Sequence, residues 1–186
     1  MTRRLPILAL LATASLSLAA CGGVKGEVEK GETEGIQVTV GDLQYQVQIS
    51  RVLNPAEVED KGLLRGVPIA EQTLPDGTEW FAVFVQARNN RDEPHLSASR
   101  EDFAIEDTLG TEFETVEVDN PLAYEQETVP ADGMLPEPDS IASSFNTNGS
   151  LLLFKITRAA LENRPLVLII KDPKNPSEMA EVDLDI

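Results

Sequence analysis

Residues 43–50 alternate strictly between apolar and polar side chains, and this pattern constrains the fold more than any other feature. The apolar members are Leu43, Tyr45, Val47 and Ile49. Successive side chains of a β-strand point to opposite faces, so a period of two predicts a strand with one buried and one solvated face. Such strands are typical of antiparallel sheets. We expect Val47 to be buried and Gln46 to be exposed.

Seven further segments have the character of short strands. The eight predicted strands are residues 36–40, 43–50, 80–87, 103–106, 111–118, 151–156, 166–170 and 180–186. The segment that starts at Trp80 is apolar on both faces and includes Phe84, which predicts a buried central strand. Short strands bounded by glycine, proline and asparagine turns predict an all-β, immunoglobulin-like antiparallel β-sandwich of about eight strands. Trp80 is similar to the buried tryptophan of immunoglobulin-like folds.

Two long segments, residues 54–79 and 119–150, interrupt the strand pattern and are rich in proline. Short helices are expected at 56–64 and 157–163, the latter with Thr157 as a possible cap. Connections of this length are uncommon in small domains and often carry function.

The amino terminus has the three regions of a secretory signal. Arg3 and Arg4 form a basic start, an apolar stretch follows, and small residues precede Cys21. The apolar stretch is too short for a confident transmembrane helix, which needs about 20 residues. Leu18-Ala19-Ala20-Cys21 resembles the lipobox of bacterial lipoproteins. That resemblance implies cleavage before Cys21 and lipid attachment to it. The alternative is an ordinary signal peptide followed by a chance cysteine.

These features divide the chain into a signal peptide (1–20), a lipidated cysteine with a flexible tether (21–35) and one β-sandwich domain (36–186). The tether is rich in glycine and charge, so it cannot bury enough apolar surface to fold. Cys21 is the only cysteine, so no internal disulfide can support the domain. The fold must be held by burial alone.

The formal net charge of −17 limits the classes of partner. Nucleic acids and anionic lipid headgroups would be repelled, whereas cations would be attracted. We therefore expect no nucleic-acid partner, and contact with a membrane only through the lipid on Cys21. A well-solvated surface without a specific partner is the alternative meaning of the charge.

The sequence carries little that indicates catalysis. His95 is the only histidine, lies in a polar stretch, and has no nucleophile motif to accompany it. We expect it to be a solvated loop residue. A site built from histidine and cysteine ligands is excluded, and no phosphate-binding loop occurs. We therefore expect no cofactor, no resident metal and no enzymatic activity.

Calcium is the one metal for which the sequence offers ligands. Two groups of carboxylates could converge: Asp102, Glu106 and Asp107, and Asp132, Glu137 and Asp139. Neither has the spacing of an EF-hand loop, and solvated carboxylates are the simpler interpretation.

The order of segments resembles a family of uncharacterised, immunoglobulin-like bacterial lipoproteins, related in fold to a secreted mycobacterial antigen. The matching stretches are Val40 to Leu43, Trp80 to Val85 with Asn89, Phe103 to Asp107 with Gly110, Val129-Pro130, Ser150 to Ile156, and Pro165 to Leu168. The resemblance implies a β-sandwich on the outer face of the cell membrane. It supplies no catalytic residues.

The segment 119–150 carries apolar residues within an acidic, proline-rich stretch. Tyr124 and Met134, with Leu122 and Leu135, are candidate contacts for an envelope protein partner, since apolar groups rimmed by polar ones often mark interaction sites. The alternative is that they pack on the edge of the sandwich. We expect a lipid-anchored extracytoplasmic binding module. A structural or sensory envelope component without a ligand remains the alternative.

Overall fold

Two large β-sheets stacked face to face, with one small two-stranded sheet beside them, form the framework of residues 29–185, the part of the chain that the computed structural model describes. The strands are β1 (Glu29–Gly31), β2 (Gln37–Val40), β3 (Leu43–Leu53), β4 (Thr78–Arg88), β5 (His95–Leu96), β6 (Phe103–Glu106), β7 (Glu112–Val116), β8 (Thr128–Val129), β9 (Met134–Leu135), β10 (Ser150–Thr157), β11 (Leu166–Lys171) and β12 (Met179–Leu184). The helices are α1 (Val58–Leu63), α2 (Ile141–Ser144) and α3 (Arg158–Glu162).

The first sheet has the order β1-β12-β11-β6, and the second has the order β10-β4-β3-β2. Strand β7 joins them. Its residues 112–114 pair with β6, whereas Thr115 and Val116 pair with β10. The pairings are antiparallel except that of β1 with β12. The prediction of an antiparallel β-sandwich is therefore confirmed.

Each of the eight predicted strands is present, but the predicted count is too low because the described residues contain twelve strands. The four additional strands are β1, β5, β8 and β9, each of two or three residues. Pieces this short have no measurable period. Strand β1 lies inside the stretch 21–35, so that part of the predicted tether belongs to the sheet. The cleavage site and Cys21 lie outside the described residues.

The main core fills the space between the sheets. It includes Val47, Phe81, Phe103, Phe154 and Leu168, all of them nearly inaccessible to solvent. Burial of apolar surface on this scale is the main source of stability in a domain without disulfides. The prediction that Val47 is buried is confirmed.

A second core covers the outer face of the second sheet. Strand β4 alternates between the two cores, so that Phe81 faces the first sheet while Trp80 and Phe84 face outward under the loops. Trp80 is buried, but it lies on the outer face of the second sheet and not between the two sheets. Its position therefore differs from that of the buried tryptophan of immunoglobulin-like folds, with which it was compared. A strand with apolar side chains on both faces is stable only when both faces are buried. Here the two long segments of the chain bury the outer face.

These segments are the first covering loop (residues 54–77), which carries α1, and the second covering loop (residues 117–149), which carries α2. They dock onto each other at Gly66, whose carbonyl accepts the N–H of Asp119 at 3.2 Å. Gly66 has φ 90, and a Cβ there would lie 1.9 Å from the Asp119 carbonyl oxygen. Only glycine fits this contact. The Asn120 amide adds bonds to the carbonyls of Leu63 and Arg65.

A β-bulge in β3 changes which side chains face the core. The pairing with β4 shifts between Val47 and Ile49, which leaves one extra residue in β3. Ile49, predicted to be buried, therefore turns outward and is 38% exposed, and Leu53 joins the second core. Gln46 is half-buried rather than exposed, because its amide bonds the Gly35 carbonyl.

Candidate functional site

The predicted partner contacts in the second covering loop are not displayed to solvent. Tyr124 is 1% exposed, Leu135 5% and Leu122 9%, and Met134 is half-buried in β9. The prediction that these side chains form an accessible patch is therefore wrong, and the alternative, packing against the sandwich, is what the structure shows. The backbone explains it: Leu122 and Tyr124 are bonded through their carbonyl and N–H to Leu151 of β10.

Tyr124 instead completes the main core. Its ring lies edge-on against Phe103 with centroids 5.0 Å apart, and Phe103 makes a similar contact with Tyr45 at 6.0 Å. Its hydroxyl donates to the Ala98 carbonyl at 3.0 Å, while the Ala98 N–H donates to the Tyr45 hydroxyl at 2.7 Å. Burial raises the pKa of Tyr45 to about 12 and raises the pKa of Tyr124 well above its ordinary value. Both phenols are therefore neutral structural groups.

His95 is better covered than the sequence predicted. It lies in β5, paired with Val129, and its side chain is 17% exposed. Nδ1 lies 3.1 Å from an Asp42 carboxylate oxygen in the turn between β2 and β3. The prediction of a solvated loop residue is therefore wrong. The contact joins the small β5–β8 sheet to the end of the sandwich.

Two of the six carboxylates weighed as calcium ligands, Asp102 and Asp107, cap turns of the backbone. Asp102 accepts hydrogen bonds from the N–H and hydroxyl of Ser99, and Asp107 accepts the N–H groups of Leu109 and Thr111. The bond from Thr111, above all, holds the pKa of Asp107 below its ordinary value. Within residues 29–185, no three acidic, histidine or cysteine side chains converge in a way that could hold a metal.

The crossing of β7 between the sheets opens a trough on each side of that strand. Where residues 112–114 leave β10, a first trough of about 750 Å³ forms, with walls from the first covering loop and β10. Where Thr115 and Val116 leave β6, a second trough of about 250 Å³ forms beside Arg100 and Lys171. Each half of β7 therefore has a paired strand on one side only, and its unpaired side opens one of the two troughs.

Carboxylates dominate the first trough. Glu112, Glu114 and Glu117 are exposed on and beside β7, and Glu71 closes the opposite wall. The only basic group among its lining residues is Lys155. The sequence signal was the spacing of these glutamates along a predicted strand, which the sequence analysis did not single out.

Lys155 is already engaged within the protein. Its Nζ lies 2.7 Å from a Glu71 carboxylate oxygen and 5.1 Å from the centroid of the Trp80 ring. The ammonium group thus bridges the first covering loop and the second core. Its positive charge offsets the negative charge of Glu71. The β7 glutamates have no basic partner among the described ion pairs.

The first trough lies away from the end at which the described chain begins. Glu29 starts β1 beside Ala180, and its carboxylate accepts the Thr39 N–H, at the end that carries the β2–β3 and β11–β12 turns. The part of β7 that starts at Glu112 lies toward the opposite end, next to the β6–β7 turn. Whatever precedes residue 29 therefore joins the domain at the end remote from the first trough.

None of the described helices is long and apolar enough to cross a membrane.

No protein-family profile matches the chain, and no curated protein matches it by sequence. Solved structures do share its fold. A secreted protein from Mycobacterium tuberculosis, MPT63, aligns with a TM-score of 0.54 and 11% identity over 84% of this chain and 98% of that chain. The yjhA protein from Bacillus subtilis aligns with a TM-score of 0.52 and 11% identity, over 83% of this chain and 99% of that chain. At these identities the likeness establishes the β-sandwich fold alone.

Proposed function

We propose that this chain is a lipid-anchored extracytoplasmic protein whose β-sandwich binds a cationic segment of an envelope partner and catalyses no reaction. The anchor part is supported by Leu18-Ala19-Ala20-Cys21 at the end of a secretory signal. The secreted Mycobacterium tuberculosis protein that shares the fold agrees with a location outside the cytoplasm.

The observation that carries the binding part is the first trough. Exposed carboxylates on β7 face an open gap between two strands, and a cationic group there would be attracted by several negative charges at once. The gap is broad and solvated rather than deep, which suits an extended chain better than a small substrate. The acidic surface as a whole would speed the encounter and make it sensitive to salt.

The position of the trough supports the same proposal. An anchor at Cys21 would hold the domain by the end at which β1 begins, and the trough would then face away from the membrane. Anionic lipid would not compete for it because both surfaces are negative.

The anchor is tested by metabolic labelling with a fatty-acid analogue. The wild type and a Ser15→Ala control should be labelled, and Cys21→Ser should not be. Equal labelling of Cys21→Ser and the wild type would refute lipid attachment at this residue.

The trough is tested with octalysine as the probe and fluorescence anisotropy as the measurement. Replacing Glu112, Glu114 and Glu117 together by glutamine should weaken binding about tenfold at low salt, because each lost charge removes roughly 0.5 kcal/mol of screened attraction. The trough variant should also show a smaller dependence on salt.

The matched control carries three glutamine substitutions at exposed glutamates elsewhere: Glu93, Glu137 and Glu162. It changes the net charge equally, so its affinity for octalysine should fall by less than threefold. Equal losses in both triple variants would mean that the probe senses only the overall charge, and the chain would then fit the structural or sensory alternative.

A further inference from the structure

Half of strand β3 has an open edge. Its first residues pair with β2 as far as Gln46, and the Val47 carbonyl accepts the Gly35 N–H at 2.8 Å. Beyond that point β3 is paired with β4 on one side, while no strand of residues 29–185 pairs with its other side. We call residues 48–53 of this strand the open edge.

Apolar side chains lie along the open edge. Ile49 is 38% exposed, Val52 is 41% exposed, and Ile36, next to the loop that bonds Val47, is 39% exposed. The bulge between Val47 and Ile49 is what turns Ile49 outward. These three belong to the few large apolar residues that the described surface exposes, and they share one edge.

The open edge lacks the usual protection against strand pairing. Natural edge strands are blunted by lysine, proline or inward-pointing charges. Here the only charged side chain is Arg51, and its guanidinium lies 2.5 Å from the Asp60 carboxylate of α1, so it is turned onto the outer face of the sheet and held there. The remaining members, Gln48 and Ser50 among them, are uncharged.

We propose that the open edge of β3 accepts an extended segment of another protein as an additional strand, and that this segment alternates apolar and basic residues. An added strand would pair with the backbone N–H and C=O groups on this side of β3, and its side chains would lie beside Ile49 on the outer face of the sheet and beside Val52 on the inner face. Affinity would come from main-chain hydrogen bonds and selectivity from the side chains on either face.

The charges on both sides of the open edge identify the occupant. On one side, the Glu34 carboxylate accepts the Ser50 hydroxyl and the Asp185 N–H, which places this carboxylate against the strand and the acidic residue Asp185 next to it. On the other, Glu57 and Glu59 line a concavity shared with Arg51. A basic segment complements both rims. A second copy of this chain would bring the same carboxylates and a net charge of −17, and would be repelled.

This site is separate from the first trough, and its test does not depend on the trough. The probe is a labelled octapeptide of alternating valine and lysine, added to the purified full chain. A second peptide has the same charge but a proline at its centre, which cannot complete a β-ladder. The first peptide should bind at least tenfold more tightly than the second, and it should slow amide hydrogen exchange within residues 48–53.

The matched variants place lysine at exposed apolar positions. Ile49→Lys with Val52→Lys should weaken binding of the alternating peptide at least tenfold. Leu96→Lys with Leu109→Lys, two positions that are 43% and 76% exposed away from the edge, should change it less than threefold. Thermal melting curves show whether both double variants are folded. The hydrogen-exchange measurement uses the wild type and does not depend on either variant.

Three outcomes would overturn the inference. Equal binding of the two peptides would show that charge alone attracts them, without strand addition. Equal losses in the two double variants would place the peptide elsewhere. A wild type that sediments as a dimer, and becomes monomeric in the Ile49→Lys and Val52→Lys double, would assign the edge to self-association instead.

Discussion

Tyr45 and Tyr124 bond the same residue, Ala98, from its two sides. The Ala98 N–H donates to the Tyr45 hydroxyl at 2.7 Å, and the Tyr124 hydroxyl donates to the Ala98 carbonyl at 3.0 Å. Tyr45 belongs to β3 and Tyr124 to the second covering loop, so the buried backbone of Ala98 links the strand to the loop. Buried backbone groups need such partners because leaving them unpaired is costly.

Removal of the Tyr124 hydroxyl should destabilise the domain without unfolding it. Tyr124→Phe leaves the buried Ala98 carbonyl without this donor, which we expect to cost about 1–3 kcal/mol. Tyr124→Ala also removes a core ring and should cost about 3–5 kcal/mol. Urea unfolding measures both. Ile141→Ala, at a position 61% exposed, is the control and should stay within about 0.5 kcal/mol of the wild type.

Alkaline titration should reveal no ordinary tyrosine. The chain has two tyrosines, and burial raises the pKa of both, that of Tyr45 to about 12. The folded state favours the protonated phenol, because the pKa of Tyr45 in the folded protein lies above the unfolded value of 10.0. Its contribution to folding stability is therefore fully present below pH 10 and is lost as the pH rises toward 12. Tyrosinate absorbance should therefore appear only with unfolding. A half-maximal signal at pH 10 in the folded protein would contradict the burial of these rings.

Substitution of Gly66 should loosen the docking of the two covering loops. A Cβ at this position would lie 1.9 Å from the Asp119 carbonyl oxygen, so Gly66→Ala forces the loops apart. We expect a loss above about 2 kcal/mol, since both strain and burial are affected. Gly77→Ala is the control, because Gly77 also has a positive φ but has open space around its Cβ position, and should cost about 1 kcal/mol. Equal losses would show that backbone conformation alone matters.

The ion pair between Arg51 and Asp60 should give an acid-dependent contribution to stability. Hydrogen bonding to Arg51, above all, lowers the pKa of Asp60 below its ordinary value of 3.8. The contribution is therefore present above pH 3.8 and is lost as the pH falls through the lower, folded value. Asp60→Asn should cost about 1–2 kcal/mol at pH 7, since Arg51 is partly exposed.

The difference between the wild type and Asp60→Asn should shrink in thermal melts below pH 3.8. Glu59→Gln, an exposed neighbour, should show little effect at any pH. A constant difference down to pH 2 would mean that Asp60 acts through packing rather than through its charge.

The buried phenols show where sequence reasoning reached its limit at the candidate site. The sequence pattern of an apolar residue in an acidic loop is the same whether its side chain is exposed to a partner or packed against a sheet. Tyr124 is buried because its ring completes the main core against Phe103 and because Leu151 bonds the loop backbone beside it. Neither reason lies in the loop itself. The acidic trough was missed for a related reason: it exists only because β7 leaves one sheet for the other.

What the sequence by itself determined is the set of long strands, since side-chain alternation is a local property that any neighbour must respect. It also determined the strongly negative charge and the position of the single cysteine, Cys21, directly after an apolar stretch. What only the tertiary structure decided is which face each strand presents after an irregularity and what covers it. The bulge beyond Val47 turned Ile49 outward while its residue pattern stayed unchanged. Register and cover depend on pairing between residues far apart in the chain, and no local pattern records that pairing.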